Sequence, residues 1–188
     1  MTKTKSFVAI SCLSFLSAAL AAQAAVPSAP GQAAVEIREI KPFAYVCAPY
    51  KGPFTDMGKA IGVLMQNMQA QNLFPPLGPL FGVYYASPKD KKPEERTWEV
   101  GFPIAAQANP LKPLEKKSWN HTTVAVAMHV GPYAKTGETI DKILGWLASH
   151  GYEATGPVME RYLNMDPSGV KEEKLKTEVW IPCRNKAP

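Results

Sequence analysis

Apolar residues recur along this chain with two periodicities, and these follow one another in the same order in each half. The stretch 35–50 is rich in Val, Ile, Phe and Tyr, which predicts a long strand. Over 57–68, apolar residues return every three or four positions, which predicts the buried side of a helix. Strands are predicted over 80–86 and 98–104, on either side of a charged loop at 89–96. The first half is therefore predicted to be strand–helix–strand–strand.

The second half shows the same succession. Alternating apolar residues predict a half-buried strand over 122–130, and a helix follows over 133–150. Two further strands are predicted over 158–164 and 175–183, around a polar turn at 166–174. Each half supplies one amphipathic helix and three strands. The chain is therefore predicted to be an α+β domain of antiparallel sheets with the helices on one face.

Individual residues also repeat, about 79 positions apart. The matching groups are Gly52-Pro53-Phe54 with Gly131-Pro132-Tyr133, Gly78-Pro79 with Gly156-Pro157 (one residue out of step), and Glu99-Val100 and Pro103 with Glu178-Val179 and Pro182. This pattern predicts a pseudo-two-fold domain with one repeat at about 35–105, the other at about 121–184, and a linker at 109–120. A cleft is expected between the two modules, with Glu99 and Glu178 as candidates to face each other across it.

Strand alternation indicates which residues could line such a cleft. On the last strand, Val179 is expected to face the helices, whereas Glu178 and Trp180 face away. On the matching earlier strand, Glu99 and Gly101 face away. A carboxylate beside an indole, opposite a glycine that leaves room, suits a flat apolar or cationic ligand. The alternative is that both glutamates are ordinary solvent-facing residues paired with neighbouring Lys or Arg.

Tyr84, Tyr85 and Tyr162 lie on the second predicted strand of each half and are further candidates for this surface. Packing in the core or at its rim is the alternative for each of them. Two carboxylates that share an apolar cleft do not both ionise easily, so the pKa of either Glu99 or Glu178 is expected to be raised.

The N-terminal residues have the pattern of a secretory signal peptide. Lysines precede an apolar run at 7–20, and residues 22–24 fit a small-x-small cleavage site. We therefore predict a signal peptide over 1–24, cleaved near Ala24, and a disordered leader over 25–34. A periplasmic or secreted location follows from this prediction.

Two cysteines, Cys47 and Cys183, remain after such cleavage. An oxidising compartment allows them to pair as a disulfide. The alternative is that both are small buried hydrophobes. Both are predicted at positions that face the helices, which argues for burial and against a reactive thiol.

Charge and motif content exclude several classes of function. The net charge of +5 includes no Lys/Arg run with interleaved aromatics, so no nucleic-acid partner is predicted. The three histidines have no metal-like spacing, and there is no phosphate loop or dinucleotide fingerprint. No metal or cofactor is therefore predicted. Haem remains a weaker option because His129 lies on a strand at a position expected to point away from the core.

Three motifs of the second half resemble the GyrI-like small-molecule-binding domain, which is also the effector-binding domain of AraC- and MerR-type multidrug regulators. They are Gly131-Pro132-Tyr133, Glu160-Arg161-Tyr162-Leu163 followed by Asp166-Pro167, and Thr177-Glu178-Val179-Trp180-Ile181-Pro182. The resemblance covers about 35–183. It implies two modules around a cleft that binds bulky, often aromatic or cationic compounds, with a glutamate at the position of Glu178. It also implies kinship with enzymes that hydrolyse cyclopropane-bearing toxins and with haem-binding SOUL proteins.

The predicted secretion signal and the lack of a recognisable DNA-binding domain set the chain apart from those regulators. We therefore predict an exported protein that binds hydrophobic or cationic small molecules. Glu178 and Glu99 would supply charge, and Trp180 with the three tyrosines would form the walls. Two alternatives stay open: a detoxifying hydrolase that uses the same cleft, and an envelope module whose open sheet face binds another protein.

Overall fold

The computed structural model describes residues 34–85, 91–164 and 166–186. Within these ranges the chain forms an antiparallel sheet of nine strands and two α-helices. The predicted signal peptide and most of the predicted leader lie outside the described residues. No helix in the described ranges is long and apolar enough to cross a membrane. The predicted mixed fold of antiparallel strands and two helices is confirmed, and the sheet is curled.

In chain order the elements are β1 (Glu36–Glu39), β2 (Phe43–Lys51), α1 (Met57–Ala70), β3 (Phe81–Tyr84), β4 (Thr97–Pro103), β5 (Glu115–Trp119), β6 (Thr123–Val130), α2 (Thr136–Ser149), β7 (Tyr152–Ala154), β8 (Val158–Tyr162) and β9 (Lys176–Asn185). A short 3₁₀ turn precedes each helix. The strand order is β1-β6-β9-β8-β3-β4-β2-β5, and β7 pairs with β9 beside this path.

The structure differs from the predicted elements in three places. The long first strand is divided into β1 and β2 around Pro42, which has no N–H to donate to a ladder. The predicted linker 109–120 contains β5, a strand that the sequence pattern did not assign. Strand β5 lies at an edge of the sheet and carries three charged residues and a single apolar one, so it lacks the apolar alternation of a typical strand. The three-residue β7 was also missed.

Both helices pack on the same face of the sheet, called here the helix face. Helix α1 contacts β2 and β4, and its Leu64 lies in one buried cluster with Val100. Helix α2 contacts β6, β7 and β9, and its Ile143 lies in one buried cluster with Val179. Strand register joins Val100 and Val179 in a single row across four strands. Apolar residues at helical spacing therefore cover this face from both halves.

Two glycines turn the chain from a strand into each helix. Gly52 and Gly131 have φ angles of +149° and +137°, which glycine adopts far more readily than other residues. A proline and a 3₁₀ turn follow each of them. At the first turn, the Trp98 indole N–H also donates to the Gly52 carbonyl oxygen at 2.9 Å. The Gly-Pro-aromatic motifs thus have the same local role in both halves.

The opposite face of the sheet is concave. Trp119 on β5 and Trp180 on β9 are separated by five strand spacings, about 24 Å in a flat sheet. Their ring centroids are only 6.5 Å apart, so the sheet curls strongly between them. The curl encloses an apolar cluster of Tyr45, Cys47, Phe81, Val83, Trp119, Val124, Val126, Met159 and Trp180. We call this surface the concave face.

The two cysteines are free and buried on opposite faces, so of the two alternatives the disulfide is wrong and burial is found. Cys183 lies in the α2 cluster, as expected. Cys47 lies on the concave face, where β2 pairs it with Gly101, and not on the helix face. Burial raises the pKa of both thiols, which argues against nucleophilic roles. Both residues are small buried hydrophobes.

Candidate functional site

Glu99 of β4 is completely buried on the concave face, with 1% of its surface exposed. The Tyr45 hydroxyl donates to Glu99 Oε1 at 2.7 Å, and Lys117 Nζ of β5 forms an ion pair with Oε2. The same ammonium lies 5.7 Å from the ring centroid of Tyr85. The negative charge of Glu99 is therefore balanced by a lysine from the strand that sequence analysis missed.

Lys117 carries a fixed positive charge. Burial lowers its pKa, but the hydrogen bond and the charge of Glu99 outweigh burial, so the pKa lies above the ordinary value. Glu115 Oε2 is a second acidic neighbour at 3.8 Å. The lysine side chain is 34% exposed, so it connects the buried carboxylate to the surface.

Glu178 of β9 lies between two arginines. Arg38 Nη1 of β1 is 2.7 Å from Glu178 Oε1, and Arg161 Nη1 of β8 donates to Oε2. The Arg161 guanidinium also lies 4.4 Å from the ring centroid of Trp180, a cation–π geometry. Sequence analysis assigned this position, a carboxylate beside an indole, to a flat apolar or cationic ligand. In the structure Arg161 itself occupies it.

The two glutamates do not share one apolar cleft. Strands β3 and β8 separate them in the sheet, and Phe81 and Met159 cover the concave face between them. Burial raises the pKa of Glu178, but hydrogen bonding and charge from its two arginines outweigh burial and lower it overall. For Glu178 the expectation of a raised pKa is therefore wrong, because this carboxylate has its own cations.

Gly101 does not leave room for a ligand. A Cβ atom at this position would lie 2.4 Å from the Val46 carbonyl oxygen and 3.2 Å from Cys47 Cβ, both on β2. The space beside Gly101 is thus filled by the adjacent strand. Glycine is needed here for strand packing.

Tyr84 and Tyr162 lie on the helix face, so the prediction that they share the face of the glutamates is wrong. Their hydroxyl oxygens are 2.6 Å apart. The Tyr84 ring packs edge-on against Phe54 at 5.0 Å, and the Tyr162 ring packs edge-on against Tyr133 at 5.2 Å. Both faces of β3 and β8 are largely buried, so alternation alone could not assign the tyrosines to one of them.

Glu160 is a buried carboxyl that sequence analysis did not select. The Tyr162 hydroxyl donates to Glu160 Oε2 at 3.2 Å, and Thr136 is a second hydroxyl partner. Burial raises the pKa of Glu160, and these hydroxyls only partly oppose the effect. The position of Glu160, two residues before Tyr162 on one strand, was the available signal that the two share a face.

A cavity of about 410 Å³ opens at one end of the concave face. Its lining residues are Tyr45, Val83, Tyr85, Lys117, Ser118, Trp119, His121 and Pro157. Among the described residues, the lining contains four aromatic side chains, counting His121, and one ammonium group, and no acidic side chain. Trp119 is 2% exposed, and its indole N–H is buried without a hydrogen-bond partner within the described part of the chain. The cavity thus combines flat aromatic walls with one positively charged group.

Of the six predicted site residues, only Tyr85 lines this cavity. Glu99 lies behind it and bonds to two of its lining residues, Tyr45 and Lys117. Trp180 does not line the cavity, but its ring packs against that of Trp119, which does. Sequence analysis missed the lining residues of β5 because it treated 109–120 as a linker. The alternation of Glu115, Lys117 and Trp119 was the signal that could have found them.

His129 does not point away from the core, contrary to expectation. It is buried on the helix face, where its Nδ1 is 2.9 Å from Thr139 Oγ1 of α2 and its Nε2 is 3.2 Å from the Pro132 carbonyl oxygen. Within the three described ranges, no group of three His, Cys, Asp or Glu side chains could hold a metal ion.

Several solved structures share this fold. The EcmrR C-terminal domain is 18% identical, with a TM-score of 0.68 over 80% of this chain and 97% of that one. A hydrolase from Listeria innocua, encoded by lin2189, is 15% identical, with a TM-score of 0.62 over 80% of this chain and 91% of that one. SAV2435 bound to tetraphenylphosphonium is 11% identical, with a TM-score of 0.52 over 80% and 93%.

At these identities the likeness shows the fold alone. Among curated protein sequences, nothing matches this chain. The family model of the GyrI-like small molecule binding domain matches residues 33–184, which is most of the chain and includes both helices and the described strands, except the last residue of β9. The chain therefore belongs to the GyrI-like small molecule binding domain family.

Proposed function

We propose that this protein binds small aromatic compounds in the cavity at the end of the concave face. The observation that carries the proposal is a cavity of about 410 Å³ with four aromatic rings in its wall, in a domain of a small-molecule-binding family. Ligand sites are typically concave and mostly apolar, with a few placed polar groups. This cavity has aromatic walls and a placed polar group, Lys117, although its surface is more polar than that of a typical site.

The walls of the cavity are held in place before any ligand arrives. Tyr45 comes from β2 and is tied by its hydroxyl to buried Glu99. Trp119 comes from β5 and packs against His121 at 4.8 Å and against Trp180 at 6.5 Å between ring centroids. Rings fixed by a sheet lose little conformational entropy on binding, which favours affinity.

We extend the proposal to the location of the protein. The pattern of residues 1–24 supports export with cleavage near Ala24, so the binding domain would act in the periplasm or outside the cell. N-terminal sequencing of the protein from the periplasmic fraction tests this, and a chain that still begins at Met1 in the cytosol would contradict it.

We also interpret the two halves as a diverged tandem repeat. The matching turns at Gly52 and Gly131, each followed by a 14-residue helix, support this interpretation. Glu99 and Glu178 occupy equivalent strand positions but have different basic partners, which fits divergence after duplication. The cavity then belongs mainly to the Glu99 side of the repeat.

A detoxifying hydrolase is the second candidate, because one protein of similar fold is a hydrolase from Listeria innocua. A hydrolytic site needs a group that can transfer a proton. His121 lines the cavity, but Glu99 is held by Lys117 behind it, and no carboxylate is among the described lining residues, so the pair of cleft glutamates that the hydrolase would use is missing there. This arrangement favours binding without turnover.

Binding of 2-naphthamide, followed by ligand-observed NMR, tests the proposal. Tetraphenylphosphonium is a second probe, because SAV2435 of similar fold has been solved with it. The variant Tyr85→Ala removes a half-exposed wall residue and is expected to weaken naphthamide binding about tenfold. Tyr152→Ala, on β7 and outside the cavity, is the matched control.

Saturable binding that weakens about tenfold in Tyr85→Ala and is unchanged in Tyr152→Ala is the expected result. No saturable binding of either probe, or an equal loss in both variants, would contradict the proposal. Incubation of the protein with an ester of 2-naphthoic acid, followed by chromatography, separates binding from hydrolysis. Product in excess of one equivalent would favour the hydrolase.

A further inference from the structure

The carboxylates of the concave face that the structure describes each have a basic partner. Glu36 pairs with an arginine on its own strand. Glu99 pairs with Lys117, and Glu115 lies 3.0 Å from Lys112 Nζ. Glu178 pairs with two arginines. Within the described residues, an incoming cation would therefore find every carboxylate of this face already paired with a basic side chain.

Lys117 stands between Glu99 and the cavity. The lysine lines the cavity, whereas the carboxylate does not. A cationic ligand in the cavity would meet the ammonium group before the carboxylate, and like charges repel more strongly where water is excluded. The geometry thus disfavours cations even though a buried glutamate lies behind the wall.

Glu178 is shielded from incoming cations in a different way, by two arginines. Arg161 places its guanidinium over Trp180 and bonds to Glu178, while Arg38 bonds to the other carboxylate oxygen. An external cation would have to displace a guanidinium that already has both the aromatic face and the carboxylate. The cost of leaving that guanidinium unpaired opposes the exchange.

Among the described lining residues, the charged group at the cavity is the Lys117 ammonium, which donates hydrogen bonds and cannot accept them. The Tyr85 hydroxyl and the His121 ring lie beside it and can donate or accept. We propose that the cavity selects planar aromatic compounds that are neutral or anionic and carry a hydrogen-bond acceptor, and that Lys117 is the residue that determines this selectivity. This inference rests on the function proposed above and specifies its ligand class.

Three nearly isosteric probes separate charge from shape: 2-naphthoate is anionic, 2-naphthamide is neutral and 2-naphthamidine is cationic. Their dissociation constants are measured by NMR at pH 8 for the wild type and three variants. Lys117→Gln removes the ammonium, and Glu99→Gln removes the carboxylate behind it. Lys116→Gln is the matched control, because this neighbouring lysine is exposed on the other face of β5 and makes the same change in net charge.

The wild type is expected to bind naphthoate and naphthamide more tightly than naphthamidine. Lys117→Gln is expected to raise the affinity for naphthamidine relative to naphthoate at least about tenfold. Glu99→Gln is expected to move this ratio in the opposite direction, because it leaves the ammonium without its main partner. Glu99→Gln keeps the size and the Tyr45 hydrogen bond, so it carries the test even if Lys117→Gln fails to fold.

The outcomes distinguish this inference from the proposed function. If the wild type binds naphthamidine as tightly as naphthoate, or if Lys116→Gln moves the ratio as much as the cavity variants do, the inference is overturned while binding stands. If the wild type binds none of the three probes, the proposed function is overturned, and the inference with it.

Discussion

Three carboxylates are buried in the sheet, and their partners differ between its two faces. On the concave face, Glu99 and Glu178 are bonded to basic side chains from other strands. On the helix face, the partners found for Glu160 in the described ranges are the hydroxyls of Tyr162 and Thr136. The pKa of Glu178 is lowered, whereas that of Glu160 is raised by burial. The concave face of the sheet thus holds carboxylates whose charge is balanced by basic side chains. The helix face holds a carboxyl whose neutral form is favoured by burial.

We interpret the concave face as the binding surface and the group around Glu160 as structural support. Of the paired charges of the concave face, Lys117 lines the cavity and presents its charge to a ligand that enters. The group around Glu160 lies beneath the turns before the two helices, where Tyr84 and Tyr162 meet. Its hydrogen bonds connect the two halves of the sheet. We therefore expect substitutions on the concave face to change ligand binding and those around Glu160 to change stability alone.

The largest stability effect is expected from Lys117→Met. The change leaves Glu99, which is 1% exposed, without its counter-ion, and an unpaired buried charge costs about 3 kcal/mol. Urea unfolding measures the loss. Lys116→Met is the control and should change stability by no more than about 0.5 kcal/mol. Equal losses in the two variants would show that the buried ion pair contributes nothing specific.

Glu178→Gln is expected to lower stability by about 1–2 kcal/mol at pH 7. The pKa of Glu178 is lowered in the folded wild type. The stability that its ion pairs contribute is therefore present above the ordinary carboxyl pKa and is lost as the pH falls through the folded-state pKa. The difference between wild type and variant should therefore shrink between pH 6 and pH 3. Thermal unfolding across this range measures it, and a constant difference would contradict the assigned ion pairs.

Glu160→Gln should behave in the opposite way. Its pKa is raised in the folded state, so its contribution is fully present below the ordinary carboxyl pKa and is lost as the pH rises through the folded value. Glutamine cannot ionise and still accepts the Tyr162 hydrogen bond. The variant is expected to gain about 1 kcal/mol relative to wild type between pH 4 and pH 8. A loss over this interval would mean that Glu160 has a cationic partner.

Tyr84→Phe is expected to have the smallest effect, about 0.5–1 kcal/mol, because it removes only the bond to the Tyr162 hydroxyl. Tyr162→Phe removes that bond and the bond to Glu160, so it should cost more. Both variants should keep the affinity of the wild type for 2-naphthamide. A large loss of binding in either would place these tyrosines in the ligand site after all.

Sequence periodicity predicted what depends on neighbouring residues. The spacing of apolar residues identified α1 and α2, and alternation placed Glu178 and Trp180 on the face away from the helices. It could not identify their partners, because Arg38 meets Glu178 across 140 residues of sequence. Contacts of this kind depend on how the sheet curls, and no local pattern encodes the curl.

The cavity was hidden for a related reason. Its wall depends on β5, whose pattern of Glu115, Lys117 and Trp119 is short and charged. An edge strand of this kind looks like a linker until Trp119 is seen against Trp180. The predicted site was therefore centred on Glu178, whereas the cavity lies beside Glu99.

The central claim is that an aromatic ligand enters the cavity beside Trp119. The chain has four tryptophans, so indole N–H signals in ¹H–¹⁵N NMR, assigned with single Trp→Phe variants, report on four separate places. During titration with 2-naphthamide, the Trp119 signal is expected to shift most and that of Trp146, which stacks on Tyr152 beside α2, least. A largest shift at Trp146, or saturation without any shift at Trp119, would contradict the account.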